Sequence, residues 1–144
     1  MCGIAGKLFL DPTARVERAQ IESMLRPIAH RGPDAQGIYL DGNVGLGHAR
    51  LSIIDLNTGA QPMTNEDETI WIVFNGEIYN FAALRERLQA KGHVLRSQSD
   101  TEVLLHLYAD RGAEMLQGLF LLPQVEQSVP QIILGDPVVT GAMR

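Results

Sequence analysis

The chain has 144 residues, a length that fits one domain with a real hydrophobic core. Twelve Lys and Arg against 17 Asp and Glu give a formal charge of −5, which argues against a nucleic-acid surface and a polybasic membrane patch. A single cysteine rules out an internal disulfide framework and a Cys-rich zinc site, and no apolar run nears the ~20 residues of a membrane span.

In chain order, MCGIAG places the cysteine directly behind the initiator. Neither a basic start with an apolar h-region nor a glycine at position 2 is present, so the expected location is cytoplasmic. GIAGKLFL (3–10) predicts a strand, which would fix Cys2 where most termini fray. Ile21, Met24, Leu25 and Ile28 recur at helical spacing within 15–28, and Pro27 ends or kinks that helix near Arg26. HRGPDAQG (30–37) reads as a rigid turn. Strands are expected at 37–41 and 44–50, joined by Asp41-Gly42-Asn43.

Residues 52–68 read as a long loop, and TIWIVFN (69–75) as a buried strand. Asn80 is placed to cap a helix reaching Lys91 and closed by Gly92, with Phe81, Leu84 and Leu88 on its apolar side. HVLRS (93–97) suggests a short strand. SDTE (99–102) suggests a capping box before a helix that stops at Gly112. In the stretch 119–144, QIIL and PVV are candidate strands among prolines and few charges.

Four groups of residues have a chemical reading beside a plainer one. If Met1 is removed, Cys2 carries its own free α-amine, with an unperturbed pKa of ~7.7–8.0 against ~8.5 for the thiol. Such an amine can take the thiol proton, the logic of an N-terminal nucleophile, and Gly3 would let a substrate or another backbone approach closely. The plainer reading is a small apolar residue near a terminus.

FNGEIYN (74–80) places Asn75 and Gly76 where a strand ends; their amide and N–H can form an oxyanion hole, or simply a hairpin turn. Arg50 ends a strand and can clamp a carboxylate, or sit as a charge in solvent. Asp100 in a first helical turn complements the helix dipole, or with Glu77 takes a substrate ammonium. His30, His48, His93 and His106 lack His-x-x-x-His spacing, so no metal is expected, and His48 and His106 read as structural.

MCGIAG, AHRGPDAQG, GLGHARLSIIDL, GAQPM, FNGEIYNF and SDTEVLLHLY stand in the order and spacing of one family. Over residues 1–119 the chain resembles the N-terminal glutaminase domain of asparagine synthetase, a class II glutamine amidotransferase of the N-terminal nucleophile superfamily. The resemblance implies an α+β fold, a four-layer α/β/β/α sandwich of antiparallel sheets. It also implies roles. Cys2 would attack the side-chain amide of glutamine, giving a thioester and ammonia. Asn75 and Gly76 would form the oxyanion hole, Arg50 would hold the substrate carboxylate, and Leu51, Ser52, Ile53 and Ile54 would line the pocket. Glu77 and Asp100 would take the α-ammonium.

In that family ATP and magnesium serve a second, synthetase domain whose Ser-Gly-Gly-x-Asp-Ser signature is missing from this sequence, so no cofactor or metal is expected here. The expected partners are glutamine and a separate synthetase domain or chain. Residues 120–144 diverge from the family, leaving the sandwich incomplete at its C-terminal side. The expected function is supply of ammonia from glutamine. The alternatives are an inactive truncated or frame-shifted fragment and a partner-dependent binding module.

Overall fold

The computed structural model describes residues 2–51 and 59–115, together with the backbone of 132–134. Strand β1 (Gly3–Leu8) leads to helix α1 (Arg18–Leu25), a 3-10 turn (Arg26–Arg31) and strands β2 (Ala35–Asp41) and β3 (Val44–Arg50). Then come β4 (Met63–Thr64), β5 (Trp71–Val73), α2 (Phe81–Ala90), α3 (Asp100–Arg111) and β6 (Ile132–Leu134). The fold is α+β. Its described strands form two antiparallel three-stranded sheets, β1-β3-β2 and β4-β5-β6.

Side-chain alternation on β3 shows how the layers stack. A Cβ on Gly45 or Gly47 would run into Val16, Ile21 and Leu25, so that face lies under α1. Ile21 and Leu25 are fully buried against it with Val16 and Ala49. Leu46, His48 and Arg50 therefore point the other way, toward the second sheet, and all three are buried. Tyr39 of β2 stacks on Trp71 of β5 with ring centroids 4.0 Å apart, which joins the two sheets. On the far side, Ile72 and Phe74 pack with Leu104 and Leu105 of α3, and Phe81 and Leu84 of α2 flank that cluster.

Several local expectations need correction. The first helix covers only Arg18–Leu25, because Pro27 cannot donate to an α-ladder and the chain tightens into 3-10 geometry. Met24 is exposed there rather than buried. The strand expected at 69–75 shortens to Trp71–Val73. On one side the turn ties Ile70 N–H to Asn65 Oδ1; on the other, Phe74 N–H donates to Gln61 Oε1 at 2.6 Å instead of to a strand.

HVLRS is not a strand, since the Arg96 and Ser97 N–H groups donate to the Glu102 carboxylate at 2.7 and 2.8 Å. For the same reason SDTE forms half a capping box. Ser99 Oγ accepts from Thr101 N–H, while Glu102 reaches back past Ser99 to Ser97. Asn80 sits at the N-cap of α2 without capping through its side chain. Of the candidate strands near the end, Ile132–Leu134 pairs with β5 as β6; the PVV segment lies outside the described residues.

Candidate active site

Cys2 stands at the entrance to β1, where Gly3 pairs with Ala49 of β3. The register sets its sulfur beside the next residues of β3. Leu51 N–H donates to Cys2 Sγ at 3.3 Å, and the thiol faces the Leu51 carbonyl at 3.6 Å. Only the N–H contact remains favourable once the sulfur is a thiolate, because a carbonyl repels an anion. Arg31 Nε donates to the Cys2 carbonyl at 3.1 Å, tying the terminal residue to the 3-10 turn. The close neighbour of Gly3 is Ile28: a Cβ there would meet its side chain at 3.0 Å and its backbone carbonyl oxygen at 3.3 Å, so another stretch of backbone does approach.

Arg50 is buried at the same end of β3 and projects from the face it shares with His48. Its carbonyl accepts from Asp34 N–H at 3.0 Å. Gly32 lies so close to Ala49 that a Cβ would fall 2.1 Å from the Ala49 carbonyl oxygen. HRGPD is thus a clasp over the end of β3 that holds Cys2 on one side and Arg50 on the other.

His48 is buried between the sheets. Burial, and next the positive charge of Arg50, push its imidazole down to about 4, so it is neutral at pH 7. Neither ring nitrogen meets a well-directed partner, and the Phe74 backbone beside the ring opposes the shift only weakly.

Two anchors give the direction of β5 over β3. Trp71 lies on Tyr39, whose partner in β3 is Leu46, and Phe74 lies beside His48. From Trp71 to Phe74 the chain therefore runs parallel to β3 and toward Arg50. Asn75 and Gly76 continue from Phe74 toward the end of β3 beside which Cys2 lies. Asn75 is half-buried, while Gly76 and Glu77 are exposed. Neither Asn75 nor Gly76 has a positive φ, so the hairpin turn open to this dipeptide is not formed.

Asp100, at the first turn of α3, accepts from Ile78 N–H through Oδ2 at 2.9 Å and so holds the segment that follows Gly76. Leu51 is placed beside the sulfur, as above; Ser52, Ile53 and Ile54 lie outside the described residues.

Two residues of this end carried no chemical reading in the sequence. Arg31 fixes Cys2, as described. Gln61 joins three elements: its amide oxygen accepts from Phe74 N–H, its Nε2 donates to Thr101 Oγ1 at 3.3 Å, and its carbonyl fills the space over Gly37 of β2. Their motifs, HRGPD and GAQPM, were visible; their partners lie 29 residues away for Arg31, and 13 and 40 away for Gln61.

A family profile described as "Glutamine amidotransferase domain" matches residues 1–135. The chain is 48% identical over 125 residues to asparagine synthetase [glutamine-hydrolyzing] 1 of Bacillus subtilis, covering 83% of this chain and 20% of that protein. It is 44% identical over 123 residues to asparagine synthetase [glutamine-hydrolyzing] 1 of Arabidopsis thaliana, covering 83% and 21%. To a probable asparagine synthetase of Dictyostelium discoideum it is 47% identical over 124 residues, covering 83% and 22%. The chain spans about a fifth of the length of these relatives. With its antiparallel sheets and the profile match over most of its length, this chain belongs to the glutamine amidotransferase domain family.

Proposed function

We propose that the chain hydrolyses glutamine to glutamate and ammonia, with Cys2 as an N-terminal nucleophile on an α/β/β/α sandwich of that class. The observation that carries this reading is the sulfur held by Leu51 N–H at the end of β3 where Arg50 is buried. After loss of Met1, the α-amine of Cys2 takes the thiol proton. The thiolate adds to the side-chain carbonyl carbon of glutamine, and the developing oxyanion accepts hydrogen bonds from the Asn75 amide and Gly76 N–H. The tetrahedral adduct expels ammonia, which leaves with the proton held on the amine. Water then cleaves the thioester to release glutamate and restore the thiol.

Arg50 pairs with the substrate α-carboxylate, and Leu51, Ser52, Ile53 and Ile54 line the pocket. Glu77 and Asp100 hold the α-ammonium; one Asp100 oxygen is committed to Ile78 N–H, which fixes the direction of the other. Use of the ammonia in amide synthesis, as the names of the relatives indicate for those proteins, would need a synthetase domain or partner chain to activate the acceptor.

The test is glutamate release from glutamine by the Met1-processed chain beside Cys2→Ala. Turnover that vanishes in the variant supports the reading. Turnover that survives it, or no turnover from a folded wild-type chain, overturns it.

A further inference from the structure

Away from the Cys2 end, three segments bring a carboxylate and two imidazoles together. Glu66 lies in the turn between β4 and β5, His93 in the connection from α2 to α3, and His106 inside α3. One ligand atom from each lies within 4.8 Å of both others. His93 Nδ1 and His106 Nδ1 are 3.2 Å apart, and His106 Nδ1 is 3.5 Å from Glu66 Oε1. Zinc bonds of about 2.0–2.1 Å to nitrogen and oxygen, at tetrahedral angles, set donor atoms about 3.3–3.5 Å apart. The two close edges of this triangle, 3.2 and 3.5 Å, lie close to that spacing. The rings stand edge to face at 71° rather than stacked, with the two Nδ1 atoms at the near edge.

The groups behind the triangle are ordered as well. His106 is 1% exposed, and its other nitrogen, Nε2, lies 3.8 Å from Glu102 Oε1. Glu102 is itself fixed by Arg96 N–H, Ser97 N–H and Ser97 Oγ at 2.7 to 2.8 Å. A carboxylate behind the second nitrogen is the usual support of a metal-bound histidine. Glu66 Oε1 accepts from Val94 N–H at 3.3 Å, and Arg96 holds the Glu66 carbonyl. Glu66 is exposed and His93 half-buried, so an ion can reach the cluster from solvent.

We propose that Glu66, His93 and His106 form a divalent-cation site, suited to zinc by its two imidazoles and one carboxylate. A bound ion would cross-link the β4–β5 turn, the α2–α3 connection and α3, stapling the helical layer to the second sheet. The site does not depend on the glutaminase reading. Histidine spacing along the chain does not show it, because each ligand comes from a different segment.

The experiment uses the 144-residue chain carrying Cys2→Ala, so that the thiol cannot compete for metal, freed of metal with EDTA and then titrated with zinc by calorimetry. One ion per chain is expected, with a rise in melting temperature. In the same background His93→Ala and Glu66→Gln should each weaken binding about tenfold or more, and the rise should shrink to match. Neither residue is in the protein core, so both variants should fold. Should either fail to fold, imidazole nitrogen NMR of the parent replaces it: both Nδ1 resonances should move on adding zinc. No zinc binding by the folded parent, affinity unchanged by His93→Ala, or Nδ1 resonances that stay in place would each overturn the proposal.

Discussion

The Glu102→Gln substitution tests how one buried carboxylate ties α3 to the chain before it. Burial pushes the Glu102 carboxyl up, but hydrogen bonding outweighs it: His106 lies on one side, and the Arg96 N–H and both Ser97 donors lie on the other. The result is a pKa of about 2 against an ordinary 4.5. At 3.8 Å the His106 contact is long, so the three short bonds carry most of the effect.

The folded chain thus binds this proton less tightly than the unfolded one. The contribution is full above pH 4.5 and is lost as the pH falls toward 2. At about 1.4 kcal/mol per unit, the shift is worth about 3 kcal/mol, a large part of the ~5–15 kcal/mol that holds a domain together. Urea unfolding, followed by fluorescence of the single tryptophan, Trp71, with EDTA present, measures it. Wild type should exceed Glu102→Gln by about 3 kcal/mol at pH 7, and the gap should close as the pH approaches 2. A gap of equal size at both ends would refute the reasoning.

His48 acts in a separate pH window. Its folded value of about 4 lies below the ordinary 6.5, so the unfolded chain takes up the proton first, and stability falls as the pH drops from 6.5 toward 4. His48→Leu should remove that slope, seen as a flatter dependence of the urea midpoint on pH over this range. Gln61→Leu leaves Phe74 N–H without its acceptor, which should cost about 1–3 kcal/mol and lower kcat for glutamate release more than it changes KM. Gln61→Glu, which keeps an acceptor for Phe74, should recover part of both, and equal losses in the two variants would count against this role.

Much of the fold was legible because it rests on local signals. The β2–β3 hairpin followed from Asp41-Gly42-Asn43, and Gly42 takes the positive φ that such a turn needs. Gly112 closes α3 and Gly92 follows α2, both with positive φ, as their place after the helices suggested. The two strand misses share one cause. At HVLRS and at the ends of β5, side chains five to thirteen residues away take the backbone N–H groups that a strand would have given to a neighbour. Glu102 does this to Arg96 and Ser97, Gln61 to Phe74, and Asn65 to Ile70. Propensity sees the residues that donate but not the acceptor that folds back onto them.

The candidate site divides in the same way. Cys2 and Arg50 could be given a chemical reading because a thiol at position 2 would lie beside a free amine once Met1 is lost, and Arg50 puts a charge at a strand end. That Leu51 N–H meets the sulfur depends on the β1–β3 register, which no residue type announces.

Gly76 shows how a glycine can be constrained by something other than the turn its neighbours suggest. A hairpin would need it for positive φ, which it does not have. Its Cβ would instead lie 2.7 Å from Cζ of Phe74, a ring that is 5% exposed and packed in the α3 cluster. The residue is small so that the chain can fold back over Phe74 as it leaves the sheet, and that return carries Asn75 and Gly76 clear of β5. Gly76→Ala should therefore cost roughly 1–3 kcal/mol by overpacking. Phe74→Leu removes the atoms that collide, so in that background the added methyl should cost less than ~0.5 kcal/mol. A double-mutant cycle measured by urea unfolding gives the coupling directly. Strong coupling places the constraint in the Phe74 ring; additive costs would place it in the backbone of the turn and refute the packing argument.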